Sequence, residues 1–82
     1  EIEERLRRQL VAFVQMLREE DLKKLPSISE TIDWARVLLL LHADSLNSDL
    51  VRDTLNVLLK FEQDIAAVER SIPELTRKAK KA

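Results

Sequence analysis

The chain has 82 residues, room for one domain in which folding hides only about 60 to 65% of the extended chain's surface, so modest stability is expected. Gly is absent, Pro occurs twice, and 45% hydrophobic against 35% charged residues is the balance of a soluble helical protein and excludes a disordered tail. The 14 basic and 15 acidic residues leave a formal charge of -1, which argues against a general nucleic-acid binder, because displacing counterions from phosphates takes a surplus of Lys and Arg.

With aromatic residues at 4%, Leu, Ile and Val must carry the packing. Zero Cys leaves no disulfide framework and no thiolate metal site, a pattern that fits the cytoplasm. No apolar run approaches the roughly 20 residues of a membrane span, and no signal-peptide pattern opens the chain. The first residue is Glu and not Met, so the chain reads as a piece of a longer protein, organised as a single helical domain over residues 1–82.

The apolar positions Ile2, Leu6, Leu10, Phe13, Val14 and Leu17 recur mostly at steps of three and four, with Arg, Glu and Gln opposite. That spacing predicts an amphipathic helix over about residues 2–20. Pro26 disfavours a helical Leu25, which leaves "DLKKL" as a fraying end or connector. Ser27 can then cap a second helix with Glu30 three residues on, a capping-box spacing, with Ser29 as a competing cap. This helix is expected to run from near Ser29 to His42.

"ADSLNSD" is the next turn, and Asn47 or Ser48 with Asp49 behind it starts a third helix. Leu50, Val51, Thr54, Leu55, Leu58 and Leu59 mark its buried stripe, and it should end near Phe61. The helical period continues through Ile65, Ala66, Val68 and Ile72, with a kink or short turn expected around Gln63 and Asp64. Pro73 tolerates only a first-turn position, so a break at Ser71 and Ile72 precedes a last short helix and a basic tail over about residues 74–82. The fold expected is an all-α bundle of four to five helices with short loops.

Chemistry is sparse. Without Gly there is no phosphate-binding GxxxxGKS/T loop, and no HExxH or other metal-ligand spacing occurs, so this chain is not expected to be an enzyme by itself. The single His42 could serve as a base or phosphate acceptor, but in a last helical turn it reads first as a partner of the helix dipole. Trp34 could stack on a base, yet its spacing with Val37, Leu38 and Leu41 favours packing. Arg36 has Asp33 three residues earlier as an ion-pair partner, with a phosphate as the rival. Arg77, Lys78, Lys80 and Lys81 suit a solvated, dipole-friendly helix end better than nucleic acid.

"SISETIDWARVLLLL" poses the main question, since the second half of this helix is apolar on every side. Trp34, Val37, Leu38 and Leu41 are expected to face inward, with Leu39 or Leu40 pointing away. The core is assigned to Trp34, Leu38 and Leu41 with Leu55 and Leu58 of the third helix. Either the bundle encloses this helix altogether, or something outside the chain covers it.

Two stretches, "LVAFVQMLREEDLKKLPSISETIDWARVLLLL" and "DLVRDTLNVLLKFEQDI", carry a resemblance. Over roughly residues 10–65 the chain resembles the C-terminal helical lid of MoxR-family AAA+ ATPases, in particular the CoxD-like branch associated with carbon monoxide dehydrogenase maturation. The pairing of "ETIDWAR" with "LVRDTLNVLLK" at this separation carries it. The resemblance implies an AAA+ lid-like fold and a parent protein whose N-terminal AAA+ module hydrolyses ATP with magnesium, so cofactors belong to the parent and none to this chain. It implies as partners that module, neighbouring subunits of a ring, and a von Willebrand factor A-domain protein. The implied role is chaperone-like remodelling or metal-cofactor maturation of a client.

In many MoxR relatives the lid helix begins with a segment like Gly-Ala-Ser-Pro-Arg, whose Arg senses the terminal phosphate. Here "SISET" stands in that place, with Ser29 matching the Ser and Thr31 where the Arg would be. Arg36 lies five residues on, about one and a half turns away, and does not simply inherit the role. Ser29, Thr31 and Arg36 are therefore the nucleotide-proximal candidates. The alternative function is a free-standing helical module that offers an apolar groove to an amphipathic partner helix.

Overall fold

A computed structural model describes residues 2–82, with side chains from Glu3 onward; the apolar position assigned to Ile2 lies outside the described side chains. The described residues form five α-helices and no strand: α1 (Ile2–Leu17), α2 (Ile28–Leu40), α3 (Ser48–Leu58), α4 (Glu62–Glu69) and α5 (Ile72–Lys80). The protein is a small helical bundle with a radius of gyration of 11.4 Å, close to the ~12 Å expected for a compact chain of this length. α3 is central, packed on α2 and α5, while α5 returns between α3 and α1; α3 touches α4, and α1 touches α2, only lightly.

Several helix boundaries have a local cause. α1 stops at Leu17, three residues short of the expected end, because Arg18, Glu19 and Glu20 turn tightly onto the carbonyls three residues back. α2 begins with the capping box in place: Ser27 Oγ accepts the Glu30 N–H at 3.1 Å, and Glu30 Oε1 accepts the Ser27 N–H at 2.8 Å. Asn47 caps α3 by accepting the Leu50 N–H at 2.8 Å. α3 ends at Leu58 and not near Phe61, since Leu59 and Phe61 are both extended, so the break falls before Gln63 and Asp64. Pro73 sits in the first turn of α5, where its missing N–H costs nothing.

The end of α2 departs most from expectation. The helix closes with a Schellman motif: His42 adopts a left-handed φ of 59°, its N–H donates to the Leu39 carbonyl, and the Ala43 N–H donates to the Leu38 carbonyl, both at 3.0 Å. The backbone of His42 thus does the capping, and its exposed side chain does not. Leu41, expected in the core, is 55% exposed. It is the C-cap of α2, after which the chain turns at the left-handed His42. Val37, also expected inward, is only half-buried.

The core is continuous across all five helices, with Val68 as the contribution of α4. Leu6, Leu10, Phe13, Val14 and Leu17 of α1 meet Trp34 and Leu38 of α2, Val51, Leu55 and Leu58 of α3, and Ile72, Leu75 and Ala79 of α5. Phe13 and Trp34 tilt against each other with ring centroids 5.5 Å apart. Leu46, from the polar turn "ADSLNSD", is fully buried in this core. Its N–H donates to Gln9 Oε1 at 2.9 Å. Gln9, assigned by its polarity to the outer face of α1, is accordingly buried.

Candidate functional site

Three sides of α2 differ in chemistry. Trp34 and Leu38 face the core, where both are fully buried. Ile28, Ile32, Ala35 and Leu39, spaced by four, three and four residues, fall on a second side that the light contact with α1 leaves uncovered. Ser29, Asp33 and Arg36 fall on a third, polar side that also carries Leu40. Ile28 and Leu40 are each 78% exposed, and Ile32, Leu39 and Leu41 are also open to solvent. The enclosed-helix alternative is therefore overturned, because α1 and α3 cover only part of the circumference of "VLLLL".

The apolar side continues onto α1. A cleft of about 370 Å³ is floored by Leu6, Leu10, Ala35 and Leu39, with Glu3, Glu4 and Arg7 at its mouth. Further along the same junction, Val11, Val14, Ile28 and Ile32 line a second cleft beside the polar Gln15, Arg18, Glu19 and Thr31. The result is an apolar strip running along the α1–α2 seam, the kind of uncovered surface that another protein segment commonly occupies.

The start of α2 holds the nucleotide-proximal candidates. Ser29 is exposed, and Thr31 is half-buried with its hydroxyl donating to the Ser27 carbonyl at 2.9 Å. Arg36 is exposed and, among the described residues, makes no ion pair with Asp33 or any other carboxylate. Ser29 and Arg36, seven residues apart, share a side of the helix, whereas Thr31 turns away from both. The structure thus groups two of the three candidates and separates the third.

The anion favoured by the positive end of α2 is provided by the chain itself. Glu30 is buried there, with Lys60 Nζ at 3.3 Å and Lys24 Nζ at 3.6 Å from its carboxylate. The hydrogen bond from the Ser27 N–H is the main cause that holds Glu30 below the usual glutamate range; desolvation opposes it, and Lys60, the Ser27 side chain and Lys24 assist. A second buried carboxylate, Asp64 at the start of α4, accepts the N–H groups of Lys23 and Lys24 at 2.8 and 3.2 Å. "DLKKL" is therefore a pinned connector and not a fraying end. Nothing in the local pattern of either segment signals this contact across 40 residues.

No protein-family model, curated protein or solved structure matches the chain. Among the described residues, no cluster of three or more His, Asp or Glu side chains is disposed to hold a metal ion, and no helix is long and apolar enough to cross a membrane. The feature most developed for contact with another molecule is the apolar α1–α2 seam.

Proposed function

We propose that this chain is the C-terminal helical lid of a MoxR-family AAA+ ATPase, coupling ATP binding and hydrolysis in the parent's nucleotide-binding module to remodelling or metal-cofactor maturation of a client. The observation that carries the reading is the uncovered side of α2, where Ile28, Ile32 and Leu39 stand in line beside Leu40 and Leu41. A lid needs such a surface, because it works by moving as a body against a second module and must bury apolar area there to transmit force. The resemblance of "ETIDWAR" and "LVRDTLNVLLK" to that family supplies the identity of the second module. In the parent, ATP and magnesium sit in that module, ring neighbours and a von Willebrand factor A-domain protein are the further partners, and the setting is the cytoplasm.

Ser29 and Arg36, on one side of α2, are the side chains through which this lid would approach nucleotide. Thr31 has its hydroxyl engaged with Ser27 and contributes little. In the parent, Thr31→Ala is expected to leave ATPase activity within a small factor, whereas Arg36→Ala reduces it only if Arg36 reaches the terminal phosphate. The isolated chain neither hydrolyses ATP nor binds it tightly, because phosphoryl transfer requires charge positioned from several elements at once.

The absence of Cys makes the seam testable. A thiol placed by Ile32→Cys reacts freely with a maleimide in the isolated chain and is shielded in the parent. Equal labelling rates in both would remove the lid reading. The second reading, a free-standing module that takes a partner helix, is favoured by the cleft between Leu6, Leu10, Ala35 and Leu39. A parent sequence without Walker motifs upstream decides for it.

A further inference from the structure

The start of α3 and the end of α5 meet at a second kind of cleft, whose charged side chains are all cations. Its volume is about 460 Å³, and its walls include Asn47 and Ser48 at the start of α3 and Thr76, Arg77, Lys80 and Lys81 at the end of α5. The three cations are exposed, and among the described residues none of them pairs with a carboxylate, whereas Lys78 on the same helix meets Glu74 at 3.1 Å.

α3 presents its positive end here. The Leu50 and Val51 N–H groups are taken by the Asn47 side chain and carbonyl. The Ser48 and Asp49 N–H groups have no intrahelical acceptor, as in the first turn of any α-helix. The Asp49 carboxylate is occupied with Arg52 at 3.2 Å. Arg77 and Lys80, in the last turn of α5, offset the negative end of that helix.

Thr76 adds an independent observation. It is 3% exposed, and its hydroxyl is the one buried side-chain oxygen or nitrogen among the described residues without a hydrogen-bond partner. Thr31 and Thr54 spend their hydroxyls on the carbonyl four residues back, at 2.9 and 2.8 Å, and Thr76 makes no such bond to Ile72. An unmade bond at a buried hydroxyl is a cost to the fold, which an acceptor entering the cleft removes.

We propose that this cleft binds a phosphate-class oxyanion. The Ser48 and Asp49 N–H groups and the Thr76 hydroxyl donate to its oxygens, and Arg77, Lys80 and Lys81 balance its charge. A tetrahedral anion suits the arrangement, because its oxygens point toward donors on two different helices at once. The phosphoryl group could arrive as free orthophosphate or as a small phosphomonoester.

The test is a titration of the 15N-labelled chain with inorganic phosphate in one arm and glycerol phosphate in the other, with ionic strength held constant by NaCl. Saturable shifts of the Ser48 and Asp49 amides and of residues 76–81 are expected. Shifts in both arms mean that the phosphoryl group is recognised whatever carries it, and shifts with inorganic phosphate alone identify the free ion. Thr76→Val should weaken binding about tenfold, the effect of one hydrogen bond to a charged group, without lowering the thermal midpoint. Lys80→Gln, at an exposed position that cannot unfold the bundle, should weaken it as well. Shifts that stay linear and confined to the lysines would overturn the site. So would a Thr76→Val chain that binds phosphate as the wild type does.

Discussion

The indole N–H of Trp34 donates to the hydroxyl of Thr54 at 2.7 Å, and that hydroxyl donates in turn to the Leu50 carbonyl at 2.8 Å. This chain of bonds lets the largest side chain of the protein be wholly buried while its one polar atom is satisfied, and it fixes α2 against α3 in register. Trp34→Ala should cost about 3–5 kcal/mol in urea denaturation, a large share of what a small domain has. Thr54→Val, which keeps the side-chain shape but strands the indole N–H, should cost about 1–3 kcal/mol. A loss under about 0.5 kcal/mol for Thr54→Val would mean that the indole finds another acceptor.

Glu30 makes the stability depend on acid. Its folded pKa is lowered, first by the Ser27 N–H. Its contribution is therefore fully present above the unfolded glutamate's pKa of about 4.3 and is lost as pH falls from there through the lower folded value. Glu30→Gln should be less stable than wild type at neutral pH, with the gap narrowing once pH drops below about 4. Denaturation midpoints across the acid range check this, and a gap independent of pH would assign the role to shape alone.

His42 occupies a left-handed backbone position that Gly tolerates far better. His42→Gly should stabilise the chain by about 0.5–1 kcal/mol even though it removes a side chain, because relief of the backbone outweighs the greater freedom of Gly in the unfolded state. His42→Val, branched at Cβ, should destabilise. Thermal melts of the two variants check the sign.

Leu40 is 78% exposed and touches little of the core. The uncovered apolar residues of α2, Leu40 among them, should make the purified chain self-associate weakly, and Leu40→Glu should reduce this while changing stability by no more than about 0.5 kcal/mol. Sedimentation over a range of concentrations separates the two effects.

Asp64 holds the α1–α2 connector through two backbone N–H groups. Asp64→Ala should cost about 1–3 kcal/mol and, more tellingly, speed hydrogen exchange at Lys23 and Lys24 while the centre of α3 keeps its protection. Uniform acceleration would show only global destabilisation.

What the sequence determined by itself lies in short-range physics. Ser27 with Glu30, Asn47 before Ser48, and Pro73 after Ser71 each act within one turn, so the all-helical class and the helix starts of α2, α3 and α5 were legible from local spacing. Tertiary structure decided what depends on who stands opposite. Leu41 continues the same apolar spacing as Trp34 and Leu38, but its exposure follows from where α2 stops and the chain turns at His42. Leu46 looks like a loop residue and Gln9 like a surface one, and both are buried because they meet each other inside the bundle. Asp64 and Lys23 are 41 positions apart, and Thr76 is buried only by virtue of where α5 docks. Helical periodicity tells which residues share a side of a helix. Which side is covered, and by what, is set by the crossing of helices distant in the chain, and that left the α1–α2 seam open.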